Sequence, residues 1–372
     1  METSLQSCFS AKQDQSKTGL FFMQNKIKIL FLGYDYFGGQ FLKALIEDHS
    51  DKFEVVGVST NITDLNFSFL KKLKKLKILF KKKMVFREFK EKVFFQKLIN
   101  WKILKNTSPV YPDIKVKALA ERYNIPVIDC SVVYAGEVEK INAFGADYII
   151  IASFGKIPAA VYTAKPSSVI NFHPSLLPQL RGGSPVYTAI IRQQKITGFS
   201  FHHLSGKFDA GPLLYQETIP IRNNQNCRDL EIEIAKTGAN KLHHLLTGMQ
   251  DNTITSIDIT GQPLSRCFRC HEISALLQPS TTVTVQLLDQ VRACNSWALG
   301  SAYVRAGIRH FYIMDAEAAV FDSSLLKVNI DYADGYGLLM KTLDGVVRIN
   351  KVYYKKQYFS GNELLSLKGL LF

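Results

Sequence analysis

At 372 residues, with 47% hydrophobic and 21% charged side chains, the chain is long enough for two domains and lacks the composition of a disordered protein. No apolar run reaches the length of a membrane helix, so insertion into a membrane is not expected. The net charge of +14 points to a polyanionic partner, but it is concentrated: residues 66–107 hold 13 Lys and 1 Arg against 2 Glu, a net +12.

In chain order, residues 1–25 read as a tail. A transit peptide should be Arg-rich and acid-poor, whereas this segment has no Arg and contains Glu2 and Asp14. Residues 26–32 read as a first strand, 37–46 as an amphipathic helix and 53–59 as a second strand. Gly33, Gly38 and Gly39 spell neither Gly-x-Gly-x-x-Gly nor a phosphate loop, so a plain strand-to-helix turn of a Rossmann-like sheet is the better reading. Residues 61–113 form a basic, low-complexity insertion of Lys, Phe, Leu and Ile. Its composition fits a basic amphipathic helix for a membrane surface or RNA, and its abrupt margins favour translated non-coding sequence.

Pattern resumes at Ile114, with helix over 115–123, strand from 125, helix over 137–144 and an apolar strand over 148–152. Strands alternating with helices predict a doubly wound α/β domain. A second short strand, 168–172, stops at His173-Pro174, because proline biases the residue before it away from helix. Asn171 and His173 are thereby placed at the carboxyl end of a strand, where open α/β sheets hold their ligands. A helix over 185–193 and a strand over 196–204 follow. His202 and His203, in that strand, read as packing residues. The next loop delivers Asp209, with Gly211-Pro212 fixing the turn beyond it, and a long helix over 229–246 closes the domain.

Residues 251–265 are a linker by composition. Beyond it a helix over 283–294 gives way to short strands at 303–305, 309–314, 325–330, 336–343 and 346–354, with Asp344-Gly345 a hairpin signal. A small β-barrel fits that pattern. Lys351, Lys355 and Lys356, beside Tyr353, Tyr354 and Tyr358, could touch phosphates and ribose, and a solvated barrel rim is an equal reading. Six scattered cysteines suggest reduced thiols, and Cys267-x-x-Cys270-His271 matches haem attachment only by chance.

Asn171-x-His173-Pro174-Ser175-Leu176-Leu177-Pro178, continued by Arg181-Gly182-Gly183 and later by Asp209-Ala210-Gly211, resembles the folate-dependent formyltransferase family. The wider match is nearest to the branch that acts on charged methionyl-tRNA in mitochondria. The resemblance covers roughly 26–60 and 114–250, and more loosely the rest. It implies a catalytic domain over 26–250, interrupted by 61–113, a linker over 251–265 and an OB-like tRNA-binding domain over 266–372. It also implies transfer of formyl from 10-formyltetrahydrofolate, as co-substrate, to the α-amino group of methionyl-tRNA. A small amine such as glycinamide ribonucleotide or an amino sugar, or a non-catalytic RNA-binding role, are the alternatives. No metal is implied, and a monomer in the mitochondrial matrix is expected. Residues carried over by the motif are Asn171, His173 and Asp209 as catalytic, and Phe154, Gly155, Ile157, Ser175, Leu176, Leu177 and Pro178 against folate. Arg181, Lys351, Lys355 and Lys356 would meet tRNA, and the insertion would be an enlarged form of the family's basic loop.

The chemistry suits these residue types. Formyl transfer to an amine passes through a tetrahedral state whose oxygen gains charge while the amine loses a proton. An amide at Asn171 can donate to that oxygen without titrating. An imidazole at His173 and a carboxylate at Asp209 can handle the protons.

Overall fold

Strand Ile27–Gly33 (β1) sends alternate side chains to opposite faces, and both faces are buried, as a parallel strand between helical layers requires. In the computed structural model, which describes residues 26–60, 115–269, 272–295, 301–307, 309–333 and 335–371, it is the middle of the five parallel strands of a seven-stranded sheet. Phe53–Thr60 (β2), Val127–Asp129 (β3), Tyr148–Ala152 (β4) and Val169–His173 (β5) run parallel to it in the order β3-β2-β1-β4-β5. Ile196–His203 (β6) and Leu213–Pro220 (β7) then extend the sheet antiparallel. The expectations for the tail and for the insertion 61–113 fall outside the described residues.

Two apolar layers cover the sheet. Ile29, Phe31, Ile150 and Phe172 face the helices Asp35–Glu47 and Cys227–Gln250, while Leu30, Leu32, Ile149 and Ile151 pack with Val133 and Val161 on the other side. The helix Cys227–Gln250 starts where Asn226 caps it by accepting from the Asp229 N–H. Its Gly238 sits directly over the Phe172 ring, where any Cβ would run into ring carbons. That close approach draws the helix onto β5 and fixes the strand that carries Asn171 and His173.

The C-terminal region is a separate, curled antiparallel sheet, barrel-like in form. Tyr303–Ala306 (β8), Arg309–Ala319 (β9), Ile330–Ala333 (β10), Gly337–Lys341 (β11) and Val346–Tyr354 (β12) take the order β10-β11-β12-β9-β8, and Gln357–Ser360 (β13) pairs with β12. Register shifts at Ile349 and Lys351 bend β12 as it passes β9. The helix Thr284–Cys294 packs Leu287 and Val291 into the same core cluster as the helix Pro185–Ile191, so apolar packing continues from one sheet to the other. No helix among the described residues is long and apolar enough to cross a membrane.

Three expectations need correction. The strand expected over 325–330 is instead a short helical turn, Ser323–Leu325, capped by Asp322, and the strand begins only at Ile330. β7 and β13 were not foreseen. The segment 251–265 reads as a spacer but is pinned to the first sheet, with Leu213 and Ile257 exchanging backbone hydrogen bonds at 2.8 and 2.7 Å.

Candidate active site

β5 and β6 are antiparallel neighbours, with Asn171 opposite His202 and Phe172 opposite Phe201. Directly opposed residues share a face. The phenylalanines therefore enter the core, and the amide and the imidazole face a narrow cleft at the carboxyl end of β5. Asn171 and His202 meet there at 2.9 Å. The direction of that bond follows from the other ring nitrogen. His202 Nδ1 lies 2.7 Å from the His203 carbonyl, which can only accept, so Nδ1 carries the proton and Nε2 accepts from the Asn171 Nδ2–H. Burial drives the His202 pKa down to about 4, against an opposing pull from Asp209, so the ring is neutral near pH 7 and remains an acceptor. One Asn171 N–H stays available to the cleft.

His173 is held differently. Its Nε2–H donates to the Leu180 carbonyl at 3.1 Å, so Nδ1 is the nitrogen turned toward Asp209. That nitrogen lies 3.7 Å from Asp209 Oδ1, and His202 Nε2 lies 3.8 Å from the same oxygen. Two ring nitrogens thus flank one carboxylate oxygen, a grouping that can receive and relay a proton. The other oxygen, Oδ2, accepts the Gly182 N–H at 2.9 Å. Asp209 sits at φ +47° and Leu180 at φ +56°, left-handed conformations that cost on the order of 1–3 kcal/mol for residues with a Cβ and persist only where surroundings impose them. Gly211 permits the return of the Asp209 loop, because any Cβ there would strike the His203 carbonyl.

The cleft is lined by Ile151, Phe154, Gly155, Ile157, Tyr162 and Leu204 above the polar group formed by Asn171, His202 and Asp209. Phe154 stacks on Tyr134 at 5.4 Å, and the Tyr134 hydroxyl lies where a Gly155 side chain would stand. Flat walls and a polar floor fit an aromatic, amphipathic ring.

Of the residues expected around folate, Phe154, Gly155 and Ile157 line this cleft and Ser175, Leu176, Leu177 and Pro178 do not. Those four build the turn beneath it instead. Ser175 Oγ donates to the Gln179 carbonyl, the Leu177 N–H donates to Ser200 Oγ, and Leu176 packs against Gly198. Arg181 lies beside the Asp209 contact, its backbone bridged to Arg266. Lys351, Lys355 and Lys356 are exposed on the second sheet. Lys351 sits over the Tyr358 ring at 4.6 Å, and Lys355 and Lys356 form a hairpin tip with φ +46° and +66°. None of the three lines the cleft. His202 is the residue that reading the sequence passed over. Its signal was parity: Phe199 and Phe201 point into the core, so His202, one residue beyond Phe201, must point the other way.

A larger cavity of about 550 Å³ between the helices Pro185–Ile191 and Thr284–Cys294 holds Arg192, Glu272 and Asp289. Its Asp289 is already taken by Arg292 and Gln193, and Glu272 by Arg266, so it presents no comparable acid–base group. Among the described residues, no group of three or more His, Cys, Asp or Glu could hold a metal ion.

A family model described as formyl transferase matches residues 112–246. Methionyl-tRNA formyltransferase of Halalkalibacterium halodurans is 37% identical over 130 residues, 34% of this chain and 40% of that protein. The protein of the same name from Staphylococcus aureus (strain JH1) is 29% identical over 207 residues, 54% of this chain and 65% of its own length. In both cases the match spans less than two thirds of the relative. Among solved structures, HypX from Aquifex aeolicus in complex with tetrahydrofolic acid aligns over 92% of this chain and 47% of its own, with a TM-score of 0.55 and 16% identity. WlaRD, a sugar 3N-formyl transferase, aligns over 87% and 97% with a TM-score of 0.53 and 15% identity. At such identities these two likenesses concern the fold.

Proposed function

We propose that this chain is a formyl transferase that moves the formyl group of 10-formyltetrahydrofolate to the α-amino group of methionyl-tRNA. The observation that carries the reading is that Asn171, from a strand end, and Asp209, from a distant loop, line one cleft, with His173 Nδ1 3.7 Å from the Asp209 carboxylate. The relatives of that name support the choice of substrate.

Each group has a task that its surroundings define. The spare Asn171 N–H, locked in direction by His202, donates to the carbonyl oxygen as it gains charge, a contribution of roughly 3–4 kcal/mol to the barrier. Asp209 Oδ1 and His173 Nδ1 bound the space where the attacking amine sheds its proton. The 3.7 Å gap suits a proton or water entering between two acceptors better than a bond already made. Phe154, Gly155 and Ile157 would hold the ring of the folate donor, which supplies the formyl group when bound. Arg181, near the cleft, and Lys351, Lys355 and Lys356, on the second sheet, would meet phosphates of the tRNA. A matrix location and a monomeric state complete the proposal; fractionation and light scattering test them.

The deciding assay is transfer of labelled formyl to charged methionyl-tRNA by the full chain. Folate binding without any formylation of the charged tRNA would refute the reading. Transfer to an amino sugar but not to tRNA would change the substrate class.

A further inference from the structure

The loop 179–184 makes two contacts on which the site depends: the Leu180 carbonyl holds His173 Nε2–H, and the Gly182 N–H holds Asp209 Oδ2. The loop does not support itself. Leu180, a buried branched residue, stands at φ +56°. What keeps it there arrives from eighty residues further along. Leu180 N–H donates to Ser265 Oγ at 3.1 Å, and Arg181 N–H donates to the Ser265 carbonyl at 3.1 Å. Cys267 N–H donates back to the Arg181 carbonyl at 3.0 Å, and Cys267 Sγ accepts the Ser184 N–H at 3.2 Å. Gln179 Nε2 donates to the Pro263 carbonyl at 2.8 Å, and Phe268 N–H donates to Thr188 Oγ1 at 2.9 Å. The Cys267 sulfur also fills the space over Gly182, so it backs the very peptide that grips Asp209.

We propose that residues 263–268 are a strap that positions His173 and Asp209 through the loop 179–184, with Ser265 and Cys267 as its two positioning residues. Ser265 acts on the histidine side: its carbonyl holds the N–H of the Leu180–Arg181 peptide, whose carbonyl receives His173 Nε2–H, and its hydroxyl holds the Leu180 N–H and so fixes the left-handed turn at that residue. Cys267 acts on the aspartate side, through Gly182. Neither touches the cleft. The catalytic groups of the first sheet are therefore completed by polypeptide that leads into the second.

The inference rests on the formyl-transfer reading for its kinetic readout, and a second readout is independent of it. In the full chain, Ser265→Ala removes one half-buried hydroxyl. The expected result is a fall in kcat on the order of 10–100-fold, with KM for the folate donor nearly unchanged. The shape of the kcat–pH profile changes, whereas a mere loss of folded enzyme scales the whole profile; Ser265→Thr, which keeps the acceptor, restores both. Imidazole ¹⁵N resonances of His173 should pass from a single Nε2–H tautomer to a mixture in Ser265→Ala, whatever the enzyme's substrate. Cys267→Ala is the second variant, expected to lower kcat through Asp209 while leaving the His173 tautomer intact. A wild-type tautomer and wild-type kcat in Ser265→Ala would overturn the proposal. An inactive wild-type chain would instead count against formyl transfer, and the tautomer measurement would still decide the strap.

Discussion

Asn171 and His202 face each other across adjacent strands and meet at 2.9 Å, whereas His173 and Asp209 come from a strand end and a loop and stop 3.7 Å apart. The first pair needs no support beyond the register of β5 and β6, because opposed residues on a sheet already place their Cβ atoms within reach of a short bond. The second pair is held through backbone groups of a loop with a left-handed leucine, and that loop is held in turn by a distant segment. Oxyanion stabilisation rewards a donor that does not move. Proton transfer tolerates a gap that closes when the reacting groups arrive. The two modes of support suit the two tasks.

Substitutions can break this comparison at either pair. Asp209→Asn keeps the size of the side chain and the Gly182 contact but removes the proton acceptor, so kcat should fall by roughly 10²–10⁴ with little change in folate affinity. Asn171→Ala removes only the fixed donor. A loss of roughly 10²–10³ in kcat is expected, with tRNA affinity near wild type in a gel-shift titration. An effect on binding as large as that on turnover would sink the division of labour.

pH sharpens the comparison further. The His202 pKa falls from about 6.5 in the unfolded chain to about 4 in the folded one. Between those values the unfolded state holds more protons, so stability declines as pH falls through that window, by up to about 1.4 kcal/mol per unit, and is level above it. Turnover should decline over the lower part of the same window, since a protonated Nε2 would donate and repel the Asn171 amide. His202→Gln, which can accept without titrating, should flatten part of the slope in urea-unfolding experiments. His203, His243 and His310, also shifted down by burial, would retain the remainder.

The smallest effect is structural. Gly238→Ala gains about 1 kcal/mol in helix propensity. It also forces a Cβ into the Phe172 ring, which overpacking data put at roughly 1–3 kcal/mol. Overpacking should win narrowly, lowering the melting temperature by a few degrees, with activity per folded molecule reduced through displacement of β5.

Much of the first sheet was legible in the sequence. β4 announces itself as five consecutive apolar residues, and β5 ends where Pro174 requires it to. β7 was not legible, because Gln216 and Glu217 interrupt the apolar pattern of an outer strand whose ladder is formed with β6. The stretch 325–330 misled for the opposite reason. Its leucines and valine suggest a strand, but Leu325 and Val328 are exposed and the local Asp322 cap sets a turn instead. Within the site, the Asn171, His173 and Asp209 trio stands in the motif, while His202 required knowing which residue lies across the sheet.

The sequence by itself determined which residue types could perform acyl chemistry and that two of them end a buried strand, because period and proline act locally. Only the tertiary structure decided which nitrogen of each histidine carries the proton, that His202 aims Asn171, and that a presumed spacer grips the catalytic loop. The aiming of Asn171 and the grip on the loop depend on partners 31 and 85 residues away, and the histidine contacts, though near in sequence, form only in the folded backbone, so no local pattern in the chain records them.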